Sequence, residues 1–325
     1  MLPSFFIMAD KLDISILIPV FNEEDSIKIL YDELKRNLDS IYNWEVIFIN
    51  DGSTDKSSEF IKELINQNSN IKLISFLQNR GKSEALNVGF KECLGKYVIT
   101  IDADLQDDPS EIKNLIAKLN DGYDMVSGWK RNRKDSIAKT LPSKIYNFVL
   151  RFFSGIKLHD FNCGLKAYKK NVVKVINIYG GMHRFIPIIA KQNGFSKISE
   201  ISVNHRERKF GQSKYGSSRL LHGFFDFVTV LFLNKYFSRP LHFFGSFGFL
   251  LSFIGLAINS YLTYNWIYFN YLVSPSINFT MNRPLLFFGI LTLIIGFQLI
   301  SIGLIGELIV KYYKKNDVTD YSIDE

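Results

Sequence analysis

Residues 96–109 read KYVITIDADLQDDP, an apolar run that leads directly into four carboxylates. Such a run followed by an acidic cluster is typical of a buried strand that delivers polar side chains to the edge of a sheet. Three earlier runs have the same form: ISILIPV (14–20), EVIFIN (45–50) and IKLISFL (71–77). A helical pattern, from Ser26 to Leu38, follows the first run. This alternation predicts an α/β fold with a parallel sheet flanked by helices.

Polar clusters follow the predicted strands where each strand ends. They are NEED at 22–25, DGSTD at 51–55 and the acidic segment after residue 101. In open parallel sheets the ligand lies beyond the carboxyl ends of the strands. We therefore expect one nucleotide-sized site at this edge.

Asp102 and Asp104 are the strongest candidates for chemistry. If they alternate along the strand end, they present two carboxylates at different depths, one to a ribose and one to a divalent cation. Gln106 adds a neutral oxygen to this metal set, and Mg²⁺ or Mn²⁺ there would neutralise a donor diphosphate. The alternative is an acidic helix start, and Asp108 before Pro109 is itself expected to be a cap.

Composition narrows the class of partner. The 325 residues allow one catalytic domain and an appendage, and the net charge of +7 suits nucleic acid, an anionic membrane or a phosphorylated substrate. No aromatic RNA-binding signature and no paired Cys/His spacing accompanies the basic residues, so we expect no nucleic-acid partner. Cys93 and Cys163 are isolated in sequence, which predicts packing roles in a reducing compartment.

Phe and Tyr crowd the C-terminal third, which predicts a domain boundary near residue 215. Two long stretches there are almost free of charge, and each reaches the roughly 20 residues that a bilayer requires. The preceding segment is amphipathic and fits an interfacial helix better than a span. The predicted organisation is a disordered leader (1–11), a catalytic domain (12–215), a juxtamembrane amphipathic segment (216–240), two transmembrane helices (about 242–264 and 285–309, within 241–310) and a cytoplasmic tail (311–325).

Basic residues predict the orientation of the two spans. They flank the outer ends of both, whereas the connecting loop carries only Arg283. Because basic flanks stay in the cytoplasm, we expect a multi-pass protein of the cell membrane with the catalytic domain and both termini cytoplasmic. The basic flanks are Lys235, Arg239, Lys311, Lys314 and Lys315.

Four motifs in order, PVFNEE (19–24), NDGSTD (50–55), GKSEALNVGF (81–90) and DADLQDDP (102–109), resemble family 2 of the glycosyltransferases. The likeness is closest to polyprenyl-phosphate glycosyltransferases, including dolichol-phosphate mannose synthases and bacterial undecaprenyl-phosphate glucosyl and aminoarabinosyl transferases. The resemblance implies a GT-A nucleotide-binding fold, a nucleotide-sugar donor, a polyprenyl phosphate acceptor in contact with membrane lipids, and a homotetramer.

The resemblance also implies site residues. Pro19, Phe21 and Glu23 match residues that bracket the donor nucleoside, although relatives often have Tyr in place of Phe21. Asp51 matches the acid that hydrogen-bonds the base, with Ile49 beside it, while a turn role for Asp51 remains open. The donor and metal segment is matched by Asp102, Ala103, Asp104 and Gln106, and Lys130 is implied near the donor diphosphate.

Basic residues follow where an anionic acceptor would bind. The resemblance places Arg208 and Lys214 at the acceptor phosphate, with Arg131 and Arg133 as looser matches, and Arg forks suit phosphate oxygens. Where relatives often have Gly-Asp-Phe-Arg, this chain has Cys163-Gly164. Asp160 is then the nearest substitute for a base, and a capping role is at least as well supported.

The sequence thus predicts an inverting transfer of a hexose from a nucleotide sugar to a polyprenyl phosphate. UDP-glucose, a UDP-amino sugar and GDP-mannose all remain open, and the resemblance to bacterial relatives slightly favours UDP-glucose. The catalytic candidates are Asp104, Arg208, Lys214 and Asp160. One alternative is a processive polysaccharide synthase, but its Gln-x-x-Arg-Trp signature is absent. The other is a non-catalytic membrane scaffold, which would be expected to lose the metal carboxylates that are present here.

Overall fold

The computed structural model describes residues 12–131, 137–207, 239–273 and 282–316. The chain divides into two compact units, Met1–Val230 and Leu231–Glu325. The predicted leader, nearly all of the juxtamembrane segment and the last residues of the tail lie outside the described residues. So do Arg133, Arg208 and Lys214.

The described part of the first unit is built on a seven-stranded mixed sheet with the order β3-β2-β1-β4-β6-β5-β7. The first four strands are mutually parallel, β6 is antiparallel to both neighbours, and β5 is parallel to β7. The strands are β1 (Ile14–Val20), β2 (Trp44–Asn50), β3 (Ile71–Ser75), β4 (Tyr97–Thr100), β5 (Met125–Trp129), β6 (Lys166–Lys169) and β7 (Ile198–Ser202).

Helices connect and flank these strands. Two of them, α4 and α7, are preceded by 3₁₀ turns at Pro109–Glu111 and Met182–Phe185. The helices are α1 (Ile27–Leu38), α2 (Ser57–Gln67), α3 (Lys82–Glu92), α4 (Ile112–Asn120), α5 (Ile137–Ser154), α6 (Lys170–Val175) and α7 (Ile186–Gln192).

The central strands are apolar because helices cover both faces of the sheet. Every residue of β2 is buried, and in β1 only Pro19 is partly exposed. Strands buried on both faces read as continuous apolar runs rather than as alternating ones. Helix α1 instead shows the amphipathic period and buries one face, including Leu30 and Leu34, against the sheet core.

The structure confirms the α/β class and the parallel pairing of the first four strands. It differs from the sequence prediction in placing the short antiparallel strand β6 between β4 and β5. It also ends β4 at Thr100, so Asp102 and Asp104 lie in the turn that follows and do not alternate along a strand.

The second unit contains two long antiparallel helices, α8 (Pro240–Ile267), which continues as π-helix over Tyr268–Val273, and α9 (Arg283–Asn316). Both are long and apolar enough to cross a membrane. Both also extend beyond the predicted spans of 242–264 and 285–309, because helical structure continues past the apolar stretch into polar flanks.

Glycines let α8 and α9 approach each other closely. A Cβ on Gly248 would lie 2.7 Å from the carbonyl oxygen of Gly296, and one on Gly255 would lie 2.7 Å from that of Gly289. Gly303 continues the seven-residue repeat on α9. Small residues at such a contact allow the backbone approach that stabilises helix pairs in lipid.

Glu307 lies where α9 passes the beginning of α8. Its carboxylate accepts a hydrogen bond from the backbone N–H of Leu241 at 3.3 Å. The first N–H groups of a helix lack partners within the helix and carry partial positive charge, so a carboxylate there is stabilising. This contact gives Glu307 a structural role inside the helical hairpin.

Candidate active site

The loops after β1 and β2 are joined by reciprocal hydrogen bonds. The N–H of Asn22 donates to Ser53 Oγ at 3.0 Å, and the Asn22 side-chain oxygen accepts from the N–H of Thr54 at 2.8 Å. The Glu24 carboxylate accepts from the N–H of Lys56 at 2.9 Å. Asn22 has φ 52°, in the left-handed region that Asn tolerates better than most residues. The two loops thus form one rigid wall of the site.

Asp51 is a buried carboxylate that holds a third loop. One of its oxygens accepts from the N–H of Arg80 at 2.7 Å, and the other accepts from the N–H of Gly81 at 2.9 Å. Gly52 has φ +71°, and a Cβ there would lie 2.6 Å from the backbone of Gln78. Asp51 therefore fixes the approach to helix α3, and its predicted contact with a donor base stays a prediction.

Asp102 lies just beyond β4 and forms an ion pair with Lys82, the first residue of α3. Burial by itself raises the pKa of Asp102, but the Lys82 ammonium, with Lys130 and Lys166 nearby, outweighs burial and lowers this pKa to about 2. The carboxylate is thus ionised at neutral pH. The Asp102 side chain is 32% exposed, so the carboxylate remains open to a ligand.

The turn from Asp102 to Gln106 presents the predicted metal residues. The N–H of Gln106 donates to Asp104 Oδ1 at 3.2 Å, and both side chains are partly exposed. Leu105 has φ 60°, a conformation that a non-glycine residue rarely adopts. Such strained residues cluster at ligand-binding turns, where the surrounding structure holds them in place. Ala103 is buried beneath this turn.

Lys130 anchors the acidic segment through Asp107. Its ammonium lies 2.8 Å from Asp107 Oδ1, and both side chains are largely buried. Burial by itself lowers the pKa of Lys130, but the charge of Asp107 outweighs it and raises this pKa, so the ammonium is charged. The predicted donor-diphosphate residue is therefore engaged by Asp107 in this structure.

Arg206 holds the same segment from the other side. Its N–H donates to the carbonyl oxygen of Gln106 at 2.8 Å, and its guanidinium lies 2.9 Å from Asp108 and 2.7 Å from Glu33 on α1. Asp108 also accepts from the N–H of Ser110, which confirms the predicted cap. Lys130 and Arg206 thus fix the residues that directly follow Asp102 and Asp104 in the chain.

The segment before β6 lies directly against Asp102. A Cβ on Gly164 would lie 2.6 Å from Asp102 Cγ, so only glycine fits there. The Gly164 carbonyl accepts from Thr100 Oγ1 at 2.9 Å, and the buried Lys166 ammonium donates to the Cys163 carbonyl. Burial lowers the pKa of Lys166 and raises that of Cys163 to about 12, which keeps the thiol neutral. A packing role for Cys163 fits this burial.

The remaining predicted donor residues have different surroundings. Ile49 is fully buried in the sheet, whereas Pro19 and Phe21 are partly exposed at the end of β1. The N–H of Glu23 donates to Ser57 Oγ at 3.0 Å, which ties Glu23 to the start of α2. These three partly exposed residues and Asp51 lie at or just after the ends of two adjacent parallel strands, β1 and β2.

Arg131 follows the end of β5, and Asp160 lies in the segment before β6. Asp160 is buried, and its carboxylate accepts from the N–H of Asn162 at 3.0 Å, the pattern of a turn-capping residue. Arg131 is exposed, and its guanidinium lies over the Trp129 ring at 5.7 Å. Their predicted roles as base and acceptor contact remain predictions.

Sequence reasoning missed Lys82, Gly164 and Lys166 as site residues. His183 contacts α3 through Ser83, whose Oγ lies 3.0 Å from His183 Nδ1. Burial holds the pKa of His183 well below its ordinary value. Lys82 falls within the GKSEALNVGF motif, so the motif itself was the available signal.

A divalent cation fits this site if its coordination is shared between protein carboxylates and the phosphates of a bound substrate. Within the residues that the structure describes, no group of three or more His, Cys, Asp or Glu side chains is arranged to hold a metal. Mg²⁺ commonly binds through one or two carboxylates completed by substrate phosphates and water. Asp102 and Asp104, both partly exposed in one strained turn, match that donor chemistry.

Comparison with known proteins identifies the family of the chain. The model of "Glycosyl transferase family 2" matches residues 15–176. The chain is 33% identical over 314 residues to dodecaprenyl-phosphate galacturonate synthase of Rhizobium johnstonii, covering 95% of this chain and 91% of that protein. It is 34% identical over 304 residues to undecaprenyl-phosphate 4-deoxy-4-formamido-L-arabinose transferase of Shewanella sediminis, covering 92% and 88%.

Solved structures share the fold at low identity. Glucosyl-3-phosphoglycerate synthase of Mycobacterium tuberculosis, in complex with phosphoglyceric acid, has a TM-score of 0.54 at 20% identity and covers 69% of this chain and 80% of its own. The same enzyme in complex with Mn²⁺, UDP-glucose and glycerol 3-phosphate has a TM-score of 0.53, with the same identity and coverage. These likenesses confirm the GT-A fold class, and the relatives confirm transferase activity. The chain belongs to glycosyl transferase family 2, among its polyprenyl-phosphate glycosyltransferases.

Proposed function

We propose that this protein transfers a sugar from a nucleotide-sugar donor to a polyprenyl phosphate at the cytoplasmic face of the cell membrane. The observation that carries the proposal is the Asp102–Gln106 turn, set beside Lys82 and the Asp51-anchored loop at the carboxyl ends of parallel strands. Relatives matched over more than nine-tenths of this chain are named for transfer to polyprenyl phosphates. The two apolar helices supply a membrane anchor for a reaction whose acceptor stays in lipid.

The chemical step that this site suits is a single displacement with inversion. Asp104 and Asp102 would hold Mg²⁺ or Mn²⁺, which would supply charge stabilisation to the leaving diphosphate. Lys82 adds a cation beside the same phosphates, and Asp51, Pro19, Phe21 and Glu23 orient the nucleoside. A phosphate monoester acceptor is already anionic near neutral pH, so positioning and electrostatics carry most of the catalysis.

The acceptor phosphate is assigned to basic residues. Arg208 and Lys214 are proposed as its principal contacts, with Arg131 and Arg133 as secondary ones, since Arg forks suit phosphate oxygens. We expect Arg208→Ala to impair use of the lipid phosphate more than donor binding. Arg208→Lys should restore only part of the rate, because a point charge cannot reproduce a bidentate contact.

The names of the relatives change which donor sugar we propose. The sequence slightly favours UDP-glucose, but the relatives above are named for galacturonate and for a formamido-arabinose. We therefore propose a UDP-linked sugar of the uronate or amino-sugar class ahead of glucose, and GDP-mannose after these.

The test is a donor screen with the purified full-length chain. UDP-galacturonic acid, UDP-4-deoxy-4-formamido-L-arabinose, UDP-glucose and GDP-mannose are each incubated with Mn²⁺ and a C55 polyprenyl phosphate. Lipid-linked product is measured by mass spectrometry. We expect product with one donor, its loss in Asp104→Asn, and its retention in Asp121→Asn, which changes an exposed carboxylate at the end of α4. Sugar transfer to water or to a soluble phosphate, with no lipid product, would refute the acceptor.

The proposed topology places both termini in the cytoplasm. The antiparallel pairing of α8 and α9 supports one part of this, because it returns the chain to the side from which it entered. The proposal that this side is the cytoplasm rests on the basic flanks. Tags at residues 1 and 325 should be protected in sealed cells, and a tag near Ser276 should be accessible from outside. If either terminal tag were accessible from outside the cell, the proposed orientation would be wrong.

Assembly as a homotetramer is a further part of the proposal, and it follows from the family resemblance alone. Size-exclusion chromatography with light scattering of the detergent-purified chain measures it. A monodisperse monomer with full transfer activity would contradict it.

A further inference from the structure

Three lysines surround the Asp102 carboxylate, and they are held in different ways. Lys130 is paired with Asp107 at 2.8 Å, and Lys166 donates to the carbonyl oxygen of Cys163. Lys82 forms its ion pair with Asp102 itself. Of these three cations, Lys82 is thus the one whose ion pair engages a proposed metal ligand.

Lys82 is also the one best placed to change partners. Its side chain is 22% exposed, against 12% for Lys130, and Lys166 as a whole is 3% exposed. It begins α3 directly after Gly81, which has φ +91° and at which an added Cβ would meet no atom within 4 Å. Asp51 anchors the N–H of Gly81, which fixes the backbone from which the Lys82 side chain extends.

The electrostatics of this cluster couple the binding of metal to the binding of nucleotide. A divalent cation that approaches Asp102 alone meets the repulsion of nearby ammonium groups, and removing one unit charge within contact distance changes such an affinity by roughly tenfold or more. A diphosphate brings negative charge that Lys82 can bind in place of Asp102. The carboxylate is then released to the metal.

We propose that Lys82 is an exchange cation: it neutralises Asp102 in the donor-free enzyme, suppresses metal binding there, and transfers to the donor diphosphate when nucleotide arrives. Nucleotide and metal then bind together, and neither occupies the site strongly alone. This inference rests on the donor site proposed above, and it concerns Lys82 alone among the three lysines.

The test measures Mn²⁺ binding without turnover, by electron paramagnetic resonance on the full-length chain in detergent. Without nucleotide, Lys82→Met should bind Mn²⁺ roughly tenfold more tightly than wild type, because one ammonium beside Asp102 is gone. Without metal, Lys82→Met should bind UDP or GDP, whichever wild type prefers, several-fold more weakly. Saturating nucleotide should bring the two Mn²⁺ affinities together.

Two variants serve as controls. Lys82→Arg keeps the charge and should behave as wild type in the nucleotide-free titration. Lys174→Met removes a lysine whose ammonium lies 2.8 Å from the Lys91 carbonyl at the opposite end of α3, and it should also leave Mn²⁺ affinity unchanged. If Lys82→Met does not fold, Lys82→Gln replaces it under the same criteria.

Equal or weaker Mn²⁺ affinity in the folded neutral variant overturns the proposal. So does tight Mn²⁺ binding by wild type without nucleotide. Failure of wild type to bind nucleotide in any condition overturns the donor site as well. If the Lys82 results are as expected but no sugar reaches polyprenyl phosphate, the exchange stands and the proposed acceptor is wrong.

Discussion

Replacing Gly164 by Ala tests whether the position of Asp102 controls the reaction. The added Cβ would lie 2.6 Å from Asp102 Cγ, well inside the 3.4 Å at which ordinary contact begins. The Gly164 backbone is anchored through its carbonyl to Thr100, so the carboxylate must move. A displacement on the order of 1 Å at a reacting group costs roughly 100-fold in rate.

The stability effect of this change should be smaller than its effect on rate. Overpacking a buried site usually costs about 1–3 kcal/mol. For a domain of this size, each kcal/mol lowers the Tm by about 2–4 °C. Gly164→Ala should therefore remain folded at assay temperature and lose activity through misplacement of Asp102.

The assay is the initial rate of lipid-linked sugar formation, with the Tm measured on the same preparations. Gly89→Ala is the matched control, because its Cβ would meet side-chain atoms of Leu17 and Ile49 at 3.1 and 3.2 Å, in the apolar packing of α3 against the sheet. We expect a similar fall in Tm with a retained rate. A Gly164→Ala enzyme with near-normal turnover, or a Gly89→Ala enzyme equally inactive, would refute the reasoning.

Three further outcomes follow from the structure. Asp104→Asn should abolish metal-dependent transfer and leave the Tm within about 2 °C, whereas comparable turnover with and without Mn²⁺ would exclude a metal role. His183 is neutral when folded because its pKa is lowered, so stability should fall as pH drops below about 6.5, by up to about 1.4 kcal/mol per pH unit. Denaturation of His183→Asn at several pH values should lose that dependence, and an unchanged slope would exclude it. Gly296→Leu should separate α8 from α9 and lower the detergent Tm, because its Cβ would lie 2.6 Å from the Gly248 carbonyl; a wild-type Tm would contradict this contact.

The sequence predicts β1, β2 and β4 well because every residue of β2 and β4, and all of β1 except Pro19, is buried. Their apolar runs are continuous, and turn residues mark where each ends. Strand β6 gives no such signal, since KAYK contains two lysines in four residues and is typical of an exposed segment. Lys166 is nevertheless buried, and its ammonium donates to the carbonyl of Cys163, three residues earlier, a contact that no strand pattern indicates.

The candidate site divides in the same way. Asp102 and Asp104 are identified by their local context, an acidic turn after an apolar strand. The partners that set their properties come from elsewhere in the chain: Lys82 is 20 residues from Asp102, and Gly164 approaches it from the segment before β6. Hydrophobic periodicity along the sequence does not reveal such long-range contacts. A charged residue at a helix start is usually solvated, so Lys82 was not singled out from its motif.

The pairing of β4 with β6, a strand that comes much later in the chain, has a consequence for how the protein is made. Thr100 at the end of β4 bonds to Gly164, 64 residues later, so one edge of β4 stays unpaired until that segment leaves the ribosome. At about 5–20 residues per second, this interval lasts roughly 3–13 s. An unpaired strand edge is a template for aggregation. A nascent or truncated chain that ends before Lys166 would therefore expose β4 and carry Asp102 without the segment that packs against it, and it would be a natural client for chaperones.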